Sequence, residues 1–258
     1  MSWTLQAAVI CGPGRIHKEN EDAFYFDGYS LSLNEMNKET AVTIRKPGPG
    51  SLWAICDGMG GQSGGEVAAH LAVRGLKGLQ DALAIREFEP TVRSWTRQAS
   101  QAVLDRTSGG GSTLALVYFR DSEALVAHVG DSRVYRARGS SAVRLTRDHT
   151  RLEMLLAAGM ITAEQAATHP QRHVITRYLG MDPEVTCDPT FAEPFPVQAG
   201  DRLILCSDGL TDLVDDAAIG EISGRSAEAT DCARQLYAAA MNNGGHDNLT
   251  ILVLNLCV

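Results

Sequence analysis

Leu52-Trp53-Ala54-Ile55-Cys56-Asp57-Gly58-Met59-Gly60-Gly61 passes from an apolar run through one carboxylate into glycine-rich backbone. The run has the length of a buried strand, and it stops where a ligand can approach the main chain closely. Asp57 therefore stands at a strand end. The arrangement recurs in Ala124-Leu125-Val126-Ala127-His128-Val129-Gly130-Asp131 and in Arg202-Leu203-Ile204-Leu205-Cys206-Ser207-Asp208-Gly209. It is reversed where Asp247-Asn248 leads into Leu249-Thr250-Ile251-Leu252-Val253-Leu254. Singly, each acid has a dull reading, because Asp-Gly is a favoured hairpin turn and Asp-Asn a common turn or cap. Together they predict four strand-end carboxylates meeting at one edge of a sheet.

Outward from that stretch, residues 5–11 read as a strand broken by Gly12-Pro13-Gly14. Arg15-Ile16-His17-Lys18-Glu19-Asn20-Glu21-Asp22 crowds cations against acids before the strand-like Ala23-Phe24-Tyr25-Phe26. Residues 28–50 read as a polar excursion or hairpin without an assigned role. Apolar spacing predicts helices over 66–79 and 89–104. The period then changes, and short strand patterns at 113–119, 124–129, 133–137 and 142–145 lie too close for crossover helices, so all are expected to pair antiparallel. A short helix over 151–158 is punctuated by Gly159, and Thr162 with Gln165 forms a capping box for another, which His169-Pro170 ends. This part reads as a lid. Ser226 is expected to cap a last helix reaching about residue 241, with Ala229, Ala233, Leu236 and Ala240 as ordinary core. There is no solenoid repeat, heptad or low-complexity tract. Two antiparallel sheets covered by helices, an α+β fold, is the most economical packing.

The 258 residues suffice for one large domain, the organisation expected here, and that domain is expected to be a monomer. A formal net charge of -8 without any Lys/Arg run argues against coating nucleic acid and suits a cation site. Cys11, Cys56, Cys187, Cys206, Cys232 and Cys257 show no CxxC spacing and read as reduced core residues of a cytoplasmic protein. The first residues lack the cationic flank of a secretory signal, and no stretch is apolar for long enough to cross a bilayer, so neither export nor membrane anchoring is expected.

Carboxylates packed closely repel one another and at neutral pH need protons or a cation. With no His or Cys at ligand spacing, the expected ligands are oxygens alone, which favours Mg2+ or Mn2+ over zinc. Two such ions about 3.5–4 Å apart, bridged by a shared carboxylate, lower the pKa of a bound water and clamp a phosphoryl group for in-line attack.

Asn20-Glu21-Asp22-Ala23, Asp57-Gly58-Met59-Gly60-Gly61 with Gly64-Gly65-Glu66, Gly111-Ser112-Thr113, Val129-Gly130-Asp131-Ser132-Arg133, Leu145-Thr146-Arg147-Asp148-His149-Thr150, Ser207-Asp208-Gly209-Leu210 and Asp247-Asn248-Leu249-Thr250 follow in that order over nearly the whole chain. The series resembles the metal-dependent serine/threonine protein phosphatases of type 2C, in their bacterial form. The resemblance implies a four-layer α-β-β-α fold, a central antiparallel β-sandwich flanked by helices, with a Mn2+/Mg2+ centre at one end. It implies that Asp57 bridges two metals, that the Gly58 carbonyl holds one, and that Asp208 and Asp247 hold the other. Asp131 resembles a ligand of a third, weaker ion, and Glu21 an outlying acid of the metal set. Asp22 resembles the carboxylate that orients or deprotonates the water. Residues 151–173 resemble a mobile flap. The implied substrate is a phosphoserine or phosphothreonine protein, with a bacterial Ser/Thr kinase or its targets as partners.

Two positions depart from the pattern. Relatives usually carry an Arg five residues before Asp22 to grip the phosphate, where this chain has His17. Arg15 and Lys18 stand in as alternatives, or His17 binds phosphate when protonated, which makes affinity fall with rising pH; the other reading is that His17 only hydrogen-bonds its loop. Met59 occupies a position where some relatives have a proton-donating His, so the leaving group is protonated from elsewhere. His128 is expected to be sheet-facing, and Arg133 and Arg177 structural ion-pair partners.

A rival reading takes Gly61-Gln62-Ser63-Gly64-Gly65 as a nucleophile elbow, with Asp208 or Asp212 and His246 completing a triad. Its context is wrong, since the strand ends at Asp57 and leaves glycines before Ser63. A nucleotide cradle lacks the Lys-Ser/Thr that should follow it. A metal-dependent phosphodiesterase shares the chemistry, and a non-catalytic phosphatase-like domain is the third class.

Overall fold

The computed structural model describes residues 3–60, 64–167, 169–182 and 187–257. Gly61, Gln62 and Ser63, and with them the nucleophile-elbow serine, lie outside the described residues. Strand β1 (Thr4–Gly12) is followed by β2 (Ala23–Phe26), a short helix α1 (Leu33–Met36), β3 (Thr40–Pro47), β4 (Leu52–Cys56) and the two-residue β5 (Gly58–Met59). Helices α2 (Gly64–Leu83) and α3 (Phe88–Arg106) lead to β6 (Gly111–Ser112), β7 (Leu114–Arg120), β8 (Glu123–Val129), β9 (Arg133–Arg138) and β10 (Ser141–Arg144). Helices α4 (Arg151–Ala157) and α5 (Ala163–Ala167), strands β11 (Thr190–Phe191), β12 (Phe195–Pro196) and β13 (Arg202–Cys206), helices α6 (Asp208–Thr211), α7 (Asp216–Arg225) and α8 (Ala229–Asn242), and strand β14 (Leu249–Cys257) complete the order.

One sheet runs β10-β9-β13-β14-β1-β3 and the other β11-β8-β7-β4-β2, with β12 also on β8. The strands of the first sheet sort their side chains by parity. Leu5, Ala7 and Val9 of β1, Leu203 and Leu205 of β13, and Leu252 and Leu254 of β14 join the core shared with Trp53, Ile55 and Val117 of the second sheet. Their neighbours Ala8, Ile10, Ile204, Ile251 and Val253 pack against Ile219 and Ile222 of α7 and Ala233, Leu236 and Ala240 of α8. Successive strand residues point to opposite faces, so a strand apolar at both parities must be covered twice. On the far side, Ala69, Ala72, Val73 and Leu76 of α2 and Val92 of α3 cover the second sheet. Four layers result, α-β-β-α.

Several local expectations change in the folded chain. Strands β8 and β9 do not pair; β8 belongs to the second sheet and β9 to the first. The chain crosses between them at Gly130-Asp131-Ser132, where Gly130 has φ +99° and a Cβ would strike the Thr113 side chain. Short spacing excludes a helical crossover but does not exclude a step from one layer to the next. Ser226 does not cap α8, whose N-cap is Glu228. It closes α7 instead, with its hydroxyl donating to the Ile222 carbonyl at 2.7 Å. Residues 28–50 supply α1 and the edge strand β3, which pairs with β1. The Thr162/Gln165 capping box forms, with both reciprocal bonds present. Five of the six cysteines are buried, and Cys257 is exposed. Among the described residues no helix is long and apolar enough to cross a membrane.

Candidate metal centre

Strand register decides where the acids arrive. In the second sheet Ala23 pairs with Cys56, Ile55 with Ala115, and Leu114 with Val129. The start of β2, the end of β4 and the end of β8 therefore share one end, which carries Asp22, Asp57 and Asp131. In the first sheet Cys206 pairs with Ile251 and Gly12 with Leu249, which brings Asp208, Asp247 and the 13–22 loop together. The acids come from both sheets, not from one sheet's edge, and Asp208 opens the short helix α6 rather than ending a strand.

Hydrogen bonds join the two sets across the sandwich. Ser207 Oγ donates to Asp22 Oδ2 at 2.8 Å and accepts from the Thr250 N–H at 3.0 Å. The Glu21 N–H donates to Asn248 Oδ1 at 2.8 Å, and the Gly58 N–H to the Glu21 carbonyl at 3.1 Å. Asp57 is fixed through its main chain, its N–H donating to Thr113 Oγ1 at 2.9 Å and its carbonyl accepting from the Thr113 N–H at 2.8 Å. Gly58 leaves no room for a side chain, since a Cβ there would collide with the Gly65 and Glu21 carbonyls. Gly58→Ala is therefore expected to overpack this junction and destabilise the chelator-treated protein by about 1–3 kcal/mol, measured by urea denaturation; an unchanged midpoint would refute the close packing.

The electrostatics are those of an acid cluster short of counter-charge. Burial, then Asp22, Asp208, Asp131 and Asp247, push the Asp57 carboxyl well above the carboxylate range. Asp208 is raised likewise, by burial first and then by Asp131, Asp247 and Asp212. Burial raises Asp22 and Asp131 each to about 7, and raises Glu21 as well. Asp22 Oδ1 and Asp131 Oδ1 are buried without a hydrogen-bond partner among the described residues. An acceptor oxygen withdrawn from water and left unbonded costs on the order of 1–3 kcal/mol. Orphaned oxygens among mutually repelling carboxylates fit hard divalent cations.

Of the other residues singled out, His17 Nε2 lies 3.6 Å from Asp247 Oδ1 at the half-exposed mouth. Arg15 is exposed, and its N–H donates to the Gly245 carbonyl at 2.8 Å. Arg133 makes a forked contact with Asp148, at 2.7 Å from Nη2, as an ion-pair partner does. His128 is buried in β8, with Nε2 2.8 Å from the Arg147 carbonyl. Two residues outside the expected ligand set also reach the cluster. Asp212 and His173 each bring a ligand atom to Asp208, all three atoms lying within 4.8 Å of one another. Asp212 was visible in principle, since it stands four residues after Asp208, one helical turn along the same face. The apolar run before Asp208 marks it as a strand end and masks that relation. Nothing in the spacing of His173 signals it.

The family model described as protein phosphatase 2C matches residues 28–242. The serine/threonine phosphatase stp of Listeria monocytogenes serovar 1/2a is 33% identical over 210 residues, covering 78% of this chain and 82% of that protein. The serine/threonine protein phosphatase PstP of Mycobacterium tuberculosis is 35% identical over 212 residues, 80% of this chain and 40% of that protein. A crystal structure of the M. tuberculosis phosphatase superposes with a TM-score of 0.82 at 31% identity, covering 99% of this chain and 100% of that one. The catalytic domain of PstP in complex with two manganese ions gives 0.79 at 29% identity over 99% and 100% of the two chains.

Proposed function

The chain belongs to the protein phosphatase 2C family, and from that premise we propose that it is a metal-dependent phosphatase of phosphoserine and phosphothreonine proteins, opposing a bacterial Ser/Thr kinase or acting on its targets. The observation that carries the reading is the convergence of Asp22, Asp57, Asp131 and Asp208, each with its carboxyl pushed up by burial, and Asp57 and Asp208 also by others of the four, at one end of the sandwich. In this reading Asp57, the Gly58 carbonyl, Asp208 and Asp247 would hold two Mn2+ or Mg2+ ions, with Asp57 shared between them and Glu21 an outlying acid of the set. Asp131 would hold a third ion. When bound, the ion pair supplies an activated water and neutralises charge on the phosphoryl oxygens.

The remaining work falls to the protein's own groups. Ser207 ties Asp22 Oδ2 and leaves Oδ1 free to take the proton of the attacking water. Met59, next to Gly58, offers no proton to the leaving group, which takes one from solvent. His17 and Arg15, exposed on the 13–22 loop, receive the substrate phosphate. His17→Ala is expected to raise KM for a phosphothreonine peptide about fivefold, the equivalent of roughly 1 kcal/mol for a half-exposed polar contact, with kcat held. His17→Arg should lower it. Unchanged KM in both variants would remove His17 from the substrate site.

Residues 151–173 form a flap in this reading. Its root is closed by the Thr150–Ile175 bridge and the Arg151 N–H to Val174 carbonyl bond of 2.8 Å, and α4 buries none of its residues. The single-domain reading is supported by the core shared between the sheets. A monomer is supported by Arg45 and Lys46 on edge strand β3, where charges discourage pairing with a second copy. The five buried cysteines suit a reducing cytoplasm. Phosphate release from phosphothreonine peptides, abolished by chelator and restored by Mn2+, tests the assignment. Metal-independent turnover blocked by a serine-reactive phosphonate would replace it with the hydrolase reading.

A further inference from the structure

The folded chain brings to the acids a nitrogen donor that their spacing along the sequence did not offer. His173 Nδ1 stands 3.4 Å from Asp212 Oδ2, and one ligand atom from each of His173, Asp208 and Asp212 lies within 4.8 Å of the other two. Ligand atoms around one ion at about 2.1 Å stand about 3–4.2 Å apart, so small side-chain rotations close this triangle on a cation. The two carboxylates are held in step by α6, where the Asp212 N–H donates to the Asp208 carbonyl at 2.8 Å. An independent feature points to a ligand at the same place. Asp131, 7% exposed, has a buried Oδ1 with no partner among the described residues, and it is the first of the charges acting on Asp208.

Resting on the phosphatase reading, we propose that His173 carries an imidazole nitrogen from the flap to an ion held by Asp208 and Asp212. The site then differs in kind from the oxygen-only centre beside it. Imidazole suits Zn2+, Ni2+ and Fe2+ best, and Mn2+ takes one nitrogen beside carboxylate oxygens, whereas Mg2+ keeps oxygen ligands and dehydrates reluctantly. The nitrogen therefore makes this position selective for transition ions over Mg2+. His173 sits at the C-terminal limit of the flap, two residues before the Ile175 end of the root bridge. Filling the site consequently ties the flap to α6 through the ion, in place of the direct His173–Asp212 contact.

The test uses the full chain, stripped with chelator and titrated with Mn2+ or Mg2+ in the absence of substrate. Pulsed EPR of the Mn2+-saturated protein should show a 14N coupling that survives His17→Ala and vanishes in His173→Ala. Free Mn2+ counted by EPR should show the weakest bound equivalent losing affinity about tenfold or more in His173→Ala, the scale of losing one ligand interaction. Mg2+ affinity should change less than about threefold, because Mg2+ does not use the nitrogen. Proteolytic nicking of the flap should be suppressed by Mn2+ in the parent chain and not in His173→Ala. His173 is exposed, so its removal does not threaten the core. Two tightly bound Mn2+ ions without any nitrogen coupling, or identical Mn2+ isotherms for the two chains, would overturn the His173 assignment and leave the phosphatase reading standing. A parent chain that binds no Mn2+ would end both.

Discussion

Asp57→Asn is expected to lower kcat/KM for a phosphothreonine peptide by on the order of a thousandfold or more while raising the stability of the metal-free protein. The loss follows from the place of Asp57 between the two proposed ions. Metal stabilisation of transition-state charge is worth several kcal/mol, and about 1.4 kcal/mol is tenfold in rate. The gain follows from the electrostatics of the empty-handed cluster. The Asp57 carboxyl is pushed up by burial and by Asp22, Asp208, Asp131 and Asp247, and an uncharged amide of the same shape escapes that repulsion. Steady-state kinetics at saturating Mn2+ and urea denaturation in chelator read the two effects separately. A variant that is less active and also less stable without metal would indicate a structural role for Asp57 in place of the metal-bridging one.

The second large effect is on stability as a function of pH. Asp22 and Asp131 titrate at about 7 in the folded chain, against about 3.9 when unfolded. The folded state therefore binds more protons than the unfolded state between about pH 4 and pH 7. Stability is fully present below the unfolded value and is lost as pH rises through about 7; Asp57 and Asp208 shift in the same direction. Chelator-treated protein should thus melt at a lower temperature at pH 8 than at pH 5. Cations take over the role of the protons. At a Mn2+ concentration about a hundred times Kd the gain is about 2.7 kcal/mol per site, which for a chain of this size is a Tm increase of roughly 5–10 °C. Scanning calorimetry across pH 5–8, with and without Mn2+, checks both. A metal-free Tm that climbs from pH 5 to pH 8 would contradict the clustered, buried acids.

The layered fold was legible where apolar residues fill both parities of a strand, as in Leu249-Thr250-Ile251-Leu252-Val253-Leu254, because such a strand needs cover on two faces. The helices over α2, α3 and α8 were legible from their apolar spacing. What the local pattern could not carry was which layer each strand joins. The turn at Gly130-Asp131-Ser132 looks like a hairpin in sequence and is a step between sheets, and that step is what brings Asp131 to the acids of the first sheet. Helix α7 is not legible in the sequence, since its Gly220 and Gly224 dilute the apolar stripe that Ile219 and Ile222 make. The acids of the site stood out by their repeated place beside apolar runs. Asp212 and His173 did not, for their approach to Asp208 depends on α6 and on the course of residues 151–173, neither of which is encoded in spacing.

Crystals grown with Mn2+ and measured at the manganese absorption edge test the central claim most directly. Two anomalous peaks about 3.5–4 Å apart with the Asp57 carboxylate between them, and Asp208 and Asp247 on the far side of one, are the predicted result. Well-ordered density for these aspartates with no anomalous peak among them would contradict it.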